Sequence, residues 1–189
     1  MKTVFGILFL AFTSLVFAQQ ADSVQTFSEW DELYRFNNFF ISGQPEKERL
    51  EWFKEQEVVK IINLRSDVEN EEFADEAFNE KRAAKKLDIE YVSIPISGWS
   101  AYNMESLEKI INEIPEEGNV VIHCLSGGRA TNFFMAYLVE ALGYDLNAAF
   151  DIGKQMRYKN PLEEILGKEI IYKFSKESSV RMNGNQEML

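Results

Sequence analysis

One cysteine, Cys124, and one histidine, His123, are all that this 189-residue chain contains of either type. The lone cysteine excludes an internal disulfide, and the lone histidine excludes a histidine-rich metal site. The two are neighbours, which excludes a cysteine–histidine protease pair, because adjacent residues on a strand point to opposite faces. Basic charge is scarce: 20 Lys and Arg stand against 31 Asp and Glu, a formal net charge of −11. With no basic stripe to meet phosphates, nucleic acid is excluded as a partner. An anionic ligand must be held by local geometry and not by the field of the whole chain.

The N-terminal apolar run, Val4 to Phe17, is broken only by Gly6, Thr13 and Ser14. Its length of about 14 residues falls short of the ~20 that a bilayer span needs. Met1-Lys2 before it and Val16-Phe17-Ala18 at its end form a secretory signal pattern, with cleavage expected after Ala18. A retained anchor is the alternative. The expectation is an exported, periplasmic or secreted protein with no stable membrane insertion after cleavage. Residues 1–18 are then signal, 19–174 one domain, and 175–189 a polar, disordered tail.

Within the domain, apolar strands alternate with helical stretches. Phe39-Phe40-Ile41 reads as a strand leading through Ser42-Gly43-Gln44-Pro45 into a helix containing Leu50, Trp52 and Phe53. Val58 to Leu64 is β-branched and apolar, a buried strand. Glu71 to Leu87 is charged, with apolar residues at helical spacing. Glu90 to Ile96 reads as a strand, and Asn103 caps a helix from Met104 to Ile114. Asn119 to Cys124 is another strand, and Arg129 to Leu142 an apolar helix stopped by Gly143. A further helix spans Asn147 to Tyr158, Pro161 opens another, and Gln19 to Ser28 is irregular. The alternation predicts an α/β fold, a mainly parallel central sheet flanked by helices. Ligands of such sheets bind beyond the carboxyl ends of the strands. There lie Ser42 to Pro45, Arg65 to Asp67, Ser97 to Trp99, and Cys124 to Arg129.

The string that carries chemistry is Val120-Val121-Ile122-His123-Cys124-Leu125-Ser126-Gly127-Gly128-Arg129-Ala130-Thr131. A buried strand ends at the cysteine, and two glycines let the backbone turn its N–H groups of Leu125, Ser126, Gly127 and Gly128 into one concavity. The helix that follows adds unpaired amides and a positive dipole end. Arg129 can clamp two oxygens with its planar fork. A cysteine in such a field favours the thiolate, and a thiolate facing a tetrahedral anion is arranged for attack. The plainer reading is a glycine-rich turn with a buried cysteine. For His123 the plainer reading is a packed, hydrogen-bonded side chain. The functional reading is that the same bonds support the loop.

At this string the chain resembles the protein tyrosine phosphatase superfamily, whose hallmark is His-Cys, a short run, then Arg. The hallmark run has five residues, and here it has four, Leu125 to Gly128. Ala130 stands where Ser or Thr usually follows the arginine. With Ile41-Ser42-Gly43-Gln44-Pro45, Ile61-Ile62-Asn63-Leu64-Arg65 and Ile94-Pro95 included, the order of motifs looks like the phosphatase-like domain found beside bacterial beta-lactamase-like hydrolases. That family shares the four-residue spacing. The resemblance implies a dual-specificity-phosphatase-like fold, Cys124 and Arg129 as catalytic residues, a phosphorylated substrate and no cofactor. Rhodanese-like sulfurtransferases, which would carry a Cys124 persulfide, are the rival, though their glycine-histidine-isoleucine-proline segment is absent here. A non-catalytic phosphate-binding module is the third reading.

The general acid is the weak point of the resemblance. Superfamily members place an aspartate after the strand that here ends at Ile96, but Ser97 to Asn103 contains no carboxylate. Asp67 and Glu69 follow another strand that ends on the same side, and Asp67 is the candidate acid. The plainer reading of both is solvated charge. Trp99 and Tyr102 either wall the pocket or pack in the core.

Overall fold

The computed structural model describes residues 23–72, 78–158 and 162–170. The signal segment, the tail and Pro161 lie outside these residues. Six strands form one sheet in the order β1-β2-β3-β6-β4-β5: β1 Gln25–Thr26, β2 Leu33–Phe36, β3 Phe39–Ser42, β4 Val58–Asn63, β5 Glu90–Ser93 and β6 Asn119–His123. β3, β6, β4 and β5 run parallel. β1 and β2 add an antiparallel edge. The sheet is therefore mixed, with the expected parallel part at its centre. Neither β1 nor β2 was expected, and β1 lies in the stretch read as irregular. The β2–β3 hairpin turns through Asn37-Asn38, with Asn37 in the left-handed region at φ 54° that asparagine tolerates. Without a glycine in it, that turn left a weak signal.

Helices cover both faces. On one side pack α1 Lys47–Glu55 and α3 Glu80–Lys86, with the short α2 Asp67–Glu72 following β4. On the other lie α4 Met104–Glu113, α5 Gly128–Glu140, α6 Leu146–Gly153 and α7 Glu163–Leu166. Of the stretch read as helical from Glu71 to Leu87, the described residues hold the last two of α2 and the whole of α3, with residues 73–77 undescribed between them. Asn103 caps α4 as its position predicts, accepting from the Ser106 amide at 2.9 Å.

Strand alternation sorts side chains to two cores. Phe39, Ile41, Ile62, Val120, Ile122 and Cys124 join the α4–α7 side, where Phe133, Phe134 and Leu138 of α5 are fully buried. Phe40, Ile61 and Val121 join the α1–α3 side with Leu50, Phe53 and Ala84. β6 is the centre of this arrangement. Val120, Val121 and Ile122 have no exposure at all, and each such burial stabilises by roughly 1.5–3 kcal/mol over exposure. The strand that delivers Cys124 is thus held from both faces and both edges.

Candidate active site

β6 ends at His123, and the chain passes through Cys124 to Gly127 before α5 begins at Gly128. Gly127 caps the helix in the left-handed region, φ 79°, a conformation glycine adopts without penalty. A Cβ there would stand 3.4 Å from the Gly43 nitrogen. The first hydrogen bond of the helix runs from the Thr131 amide to the Gly127 carbonyl at 2.9 Å. The amides of Gly128, Arg129 and Ala130 precede it and have no acceptor within the helix. The Thr131 hydroxyl donates to the same carbonyl at 2.9 Å, so its role here is to fasten the turn.

Two neighbouring strand ends, those of β3 and β4, hold the loop. The Cys124 amide donates to the Ser42 carbonyl at 3.3 Å, and the Gln44 amide to the Leu125 carbonyl at 3.0 Å. The Leu64 amide donates to the His123 carbonyl at 2.8 Å. The segments Ser42 to Pro45 and Leu64 to Arg65, separate in sequence, therefore meet the cysteine loop directly. Cys124 is 2% exposed, at the base of this assembly and on the α4–α7 side. Leu125 is exposed and Ser126 partly so. Trp99 is exposed and packs tilted against Tyr102 at 5.5 Å, and Tyr102 in turn contacts Phe133 of α5 at 5.6 Å.

Arg129 points back to the end of β4. Its Nη1 donates to the Leu64 carbonyl at 2.6 Å and to Glu69 Oε2 at 2.9 Å, and its Nη2 donates to Glu69 Oε1 at 2.9 Å. Burial opposes ionisation of Glu69, but the bonds from Arg129 and the Ser66 amide prevail and hold its pKa at about 2. Burial likewise opposes the charge on Arg129. Glu69, the nearby Cys124 sulfur and Tyr102 outweigh it and raise its pKa. Asp67 sits in the first turn of α2, exposed to solvent. Glu69, read from the sequence as a solvated charge, is the carboxylate that reaches the arginine.

His123 turns the opposite way, into the α1–α3 side. Its Nε2 lies 2.9 Å from Glu80 Oε1, an ion pair when the ring is protonated, though poorly aligned as a hydrogen bond. Its Nδ1 lies 3.4 Å from the Cys124 carbonyl. Glu80 is buried and also accepts from Arg65 at 3.1 Å and Gln44 at 3.2 Å. Burial opposes the ionised form of Glu80, but His123 foremost, then Arg65 and Gln44, lower its pKa. Tyr91, half-buried beside the same carboxylate, is pushed up to about 12 by burial and by that negative charge. A cavity of about 790 Å³ opens on this face, lined by Gln44, Arg65, Asn70, Glu80 and Tyr91 among others. Glu80 carried no sequence signal, since Lys81 and Arg82 follow it in what reads as a charged, exposed helix.

Among the described residues no cluster of three or more His, Cys, Asp or Glu side chains could hold a metal ion. No helix among them is long and apolar enough to cross a membrane.

The architecture has counterparts among solved structures. TpbA of P. aeruginosa, in complex with phosphotyrosine, superposes with a TM-score of 0.58 at 16% identity, covering 72% of this chain and 80% of that one. The core catalytic domain of the PP-IP phosphatase SIW14 from S. cerevisiae gives 0.52 at 17% identity, covering 68% and 76%. At these identities the likeness is one of fold. Among curated proteins, none matches significantly. Residues 14–159 match the family model described as "DSP-PTPase phosphatase fused to NAD+ Kinase". That match covers most of the chain and takes in the whole cysteine loop, and the chain belongs to this family of dual-specificity-type phosphatases.

Proposed function

We propose that the chain hydrolyses phosphomonoesters through a phosphocysteine formed at Cys124. One observation carries this reading: the donor inventory of Arg129. A guanidinium has five N–H groups. Three are engaged by Glu69 and the Leu64 carbonyl. The Nε–H and the second Nη2–H remain, and they lie along one edge of the planar group as a second fork. Glu69 thus aims the arginine and leaves a bidentate edge for two oxygens of a bound anion. The unpaired amides at the start of α5 and those of the Leu125 to Gly128 loop supply the remaining donors.

The chemistry follows. The Cys124 thiolate attacks phosphorus, the S–P bond forms, and the bond to the leaving oxygen breaks with its electron pair on that oxygen. Water then attacks phosphorus, giving inorganic phosphate and restoring the thiolate. The leaving oxygen needs a proton. Glu69, at about 2, stays ionised near neutral pH and cannot give one. Asp67, the other carboxylate at the start of α2, is the proposed donor. His123 supports the loop from behind. The four-residue spacing matches the resemblance to phosphatase-like domains beside beta-lactamase-like hydrolases, and the N-terminal signal pattern supports an activity outside the cytoplasm.

The test is an aryl phosphate assay of the mature chain, with a thiosulfate and cyanide assay beside it. Phosphate release abolished by Cys124→Ser and by Arg129→Ala supports hydrolysis. Thiocyanate formation would instead establish a sulfurtransferase. Phosphate binding with silence in both assays would establish a binding module.

A further inference from the structure

The cysteine loop is held from the far side of the sheet by one buried carboxylate. Glu80 opens α3 and is 5% exposed. The Asn79 side chain caps the helix by accepting from the Arg82 amide at 2.9 Å. Glu80 is turned inward, and its two oxygens meet Tyr91 of β5 and three partners at the strand ends. Gln44 follows β3, Arg65 follows β4, and His123 ends β6. Each partner belongs to a segment that also bonds the cysteine loop through its backbone: Gln44 to Leu125, Leu64 to His123, and His123 leading directly into Cys124.

We propose that Glu80 is a positioning residue that sets the reactivity of Cys124 through His123 and Gln44. The proposal rests on the phosphatase reading only for the use made of the cysteine. The groups facing Glu80 are His123 from β6, Arg65 from the end of β4, Tyr91 from β5 and the uncharged Gln44. Those about Cys124 are Arg129, with Glu69 and Tyr102 behind it, and His123 through the Cys124 carbonyl. Only His123 belongs to both sets. It contacts the carboxylate with one ring nitrogen and faces the Cys124 carbonyl with the other. Removing the Glu80 charge leaves His123 and Arg65 buried without their anion, an arrangement that costs more than the pair contributes. The ring and the carbonyl beside it then shift, and with them the amides of the loop that surround the sulfur.

Cys124 is the sole cysteine, so its alkylation by iodoacetamide is read directly as a mass change and needs no phosphatase turnover. Glu80→Gln is expected to slow alkylation at pH 6.5 about fivefold or more. It should also weaken protection of the thiol by inorganic phosphate, while near-UV circular dichroism stays native. Glu80→Asp, which keeps the charge, should restore most of the rate. In a His123→Gln background, Glu80→Gln should have no further effect. Should Glu80→Gln fail to fold, Gln44→Ala removes one anchor from a less buried position and is expected to reduce both rate and protection two- to threefold. A folded Glu80→Gln, or Gln44→Ala where the former cannot be made, with unchanged alkylation and protection overturns the proposal. So does an undiminished Glu80→Gln effect in the His123→Gln background. A chain silent on aryl phosphate still reports through alkylation, which separates failure of this proposal from failure of the phosphatase reading.

Discussion

Glu69 grips Arg129 end-on: both carboxylate oxygens lie 2.9 Å from the two terminal nitrogens of the guanidinium. The two residues come from helices that follow different strands, and their pairing determines which edge of the arginine is left for an anion. Glu69→Gln keeps the shape and removes the charge. The expected result is about a tenfold loss in kcat/KM on an aryl phosphate, equivalent to ~1.4 kcal/mol. Steady-state kinetics decide it. An unchanged kcat/KM would mean that the pair has no part in aiming the arginine.

Asp67 is assigned the leaving-group proton, and that role has a signature. General acid catalysis contributes ~10²–10⁴-fold where the leaving group is poor and little where it is good. Asp67→Asn should therefore slow an alkyl phosphate at least a hundredfold and an aryl phosphate with an acidic phenol only slightly. Equal losses on both would assign Asp67 to binding and leave the proton to another group.

Acid should destabilise the fold through the two glutamates described above. The ordinary carboxyl value for Glu69 is 4.5 and its folded value about 2, so across this interval the unfolded chain binds more protons than the folded one. The contribution of Glu69 is complete above about pH 4.5 and is lost as pH falls toward 2. Glu80 acts in the same sense, because its folded pKa is also lowered. Denaturant unfolding followed from pH 7 downward should show stability falling below about 4.5. Glu69→Gln should flatten part of that slope, and an identical slope in the variant would contradict the assignment.

Gly127 tests the loop itself. At φ 79° a Cβ adds strain of ~1–2 kcal/mol, while it would meet the Gly43 nitrogen at 3.4 Å, in van der Waals contact. Gly127→Ala should lower unfolding free energy by about that amount and weaken phosphate binding, since the turn directs the amides that follow. Calorimetric titration with inorganic phosphate measures the second effect. Unaltered affinity would show that the turn does not shape the anion site.

The single histidine and cysteine, the paired glycines and the arginine stand within seven consecutive residues, His123 to Arg129. Local geometry alone puts them on a strand end, a turn and a helix start. That is why this half of the candidate site was legible in the sequence, as were the four parallel strands, of which β3, β4 and β6 record burial on both faces in their apolar runs. The hairpin of β1 and β2 was not legible. Gln25–Thr26 is exposed on both residues, and a two-residue edge strand is defined by its neighbour's hydrogen bonds, not by a hydrophobic pattern.

By itself the sequence determined the α/β class and marked the candidate nucleophile and clamp, because each is written in contiguous residues with a local physical rule. Only the tertiary structure decided which carboxylates are bound to the cations around the cysteine loop. Asp67 and Glu69 are two residues apart and equally acidic, yet Glu69 reaches the arginine and Asp67 stays in solvent. Glu80 lies among charged residues and is buried all the same. A carboxylate looks alike in sequence whether water or a guanidinium surrounds it. The difference lies in partners 60 residues away at Arg129 and 43 away at His123, which the parallel pairing of β4 with β6 and the packing of α3 beside the strand ends bring close.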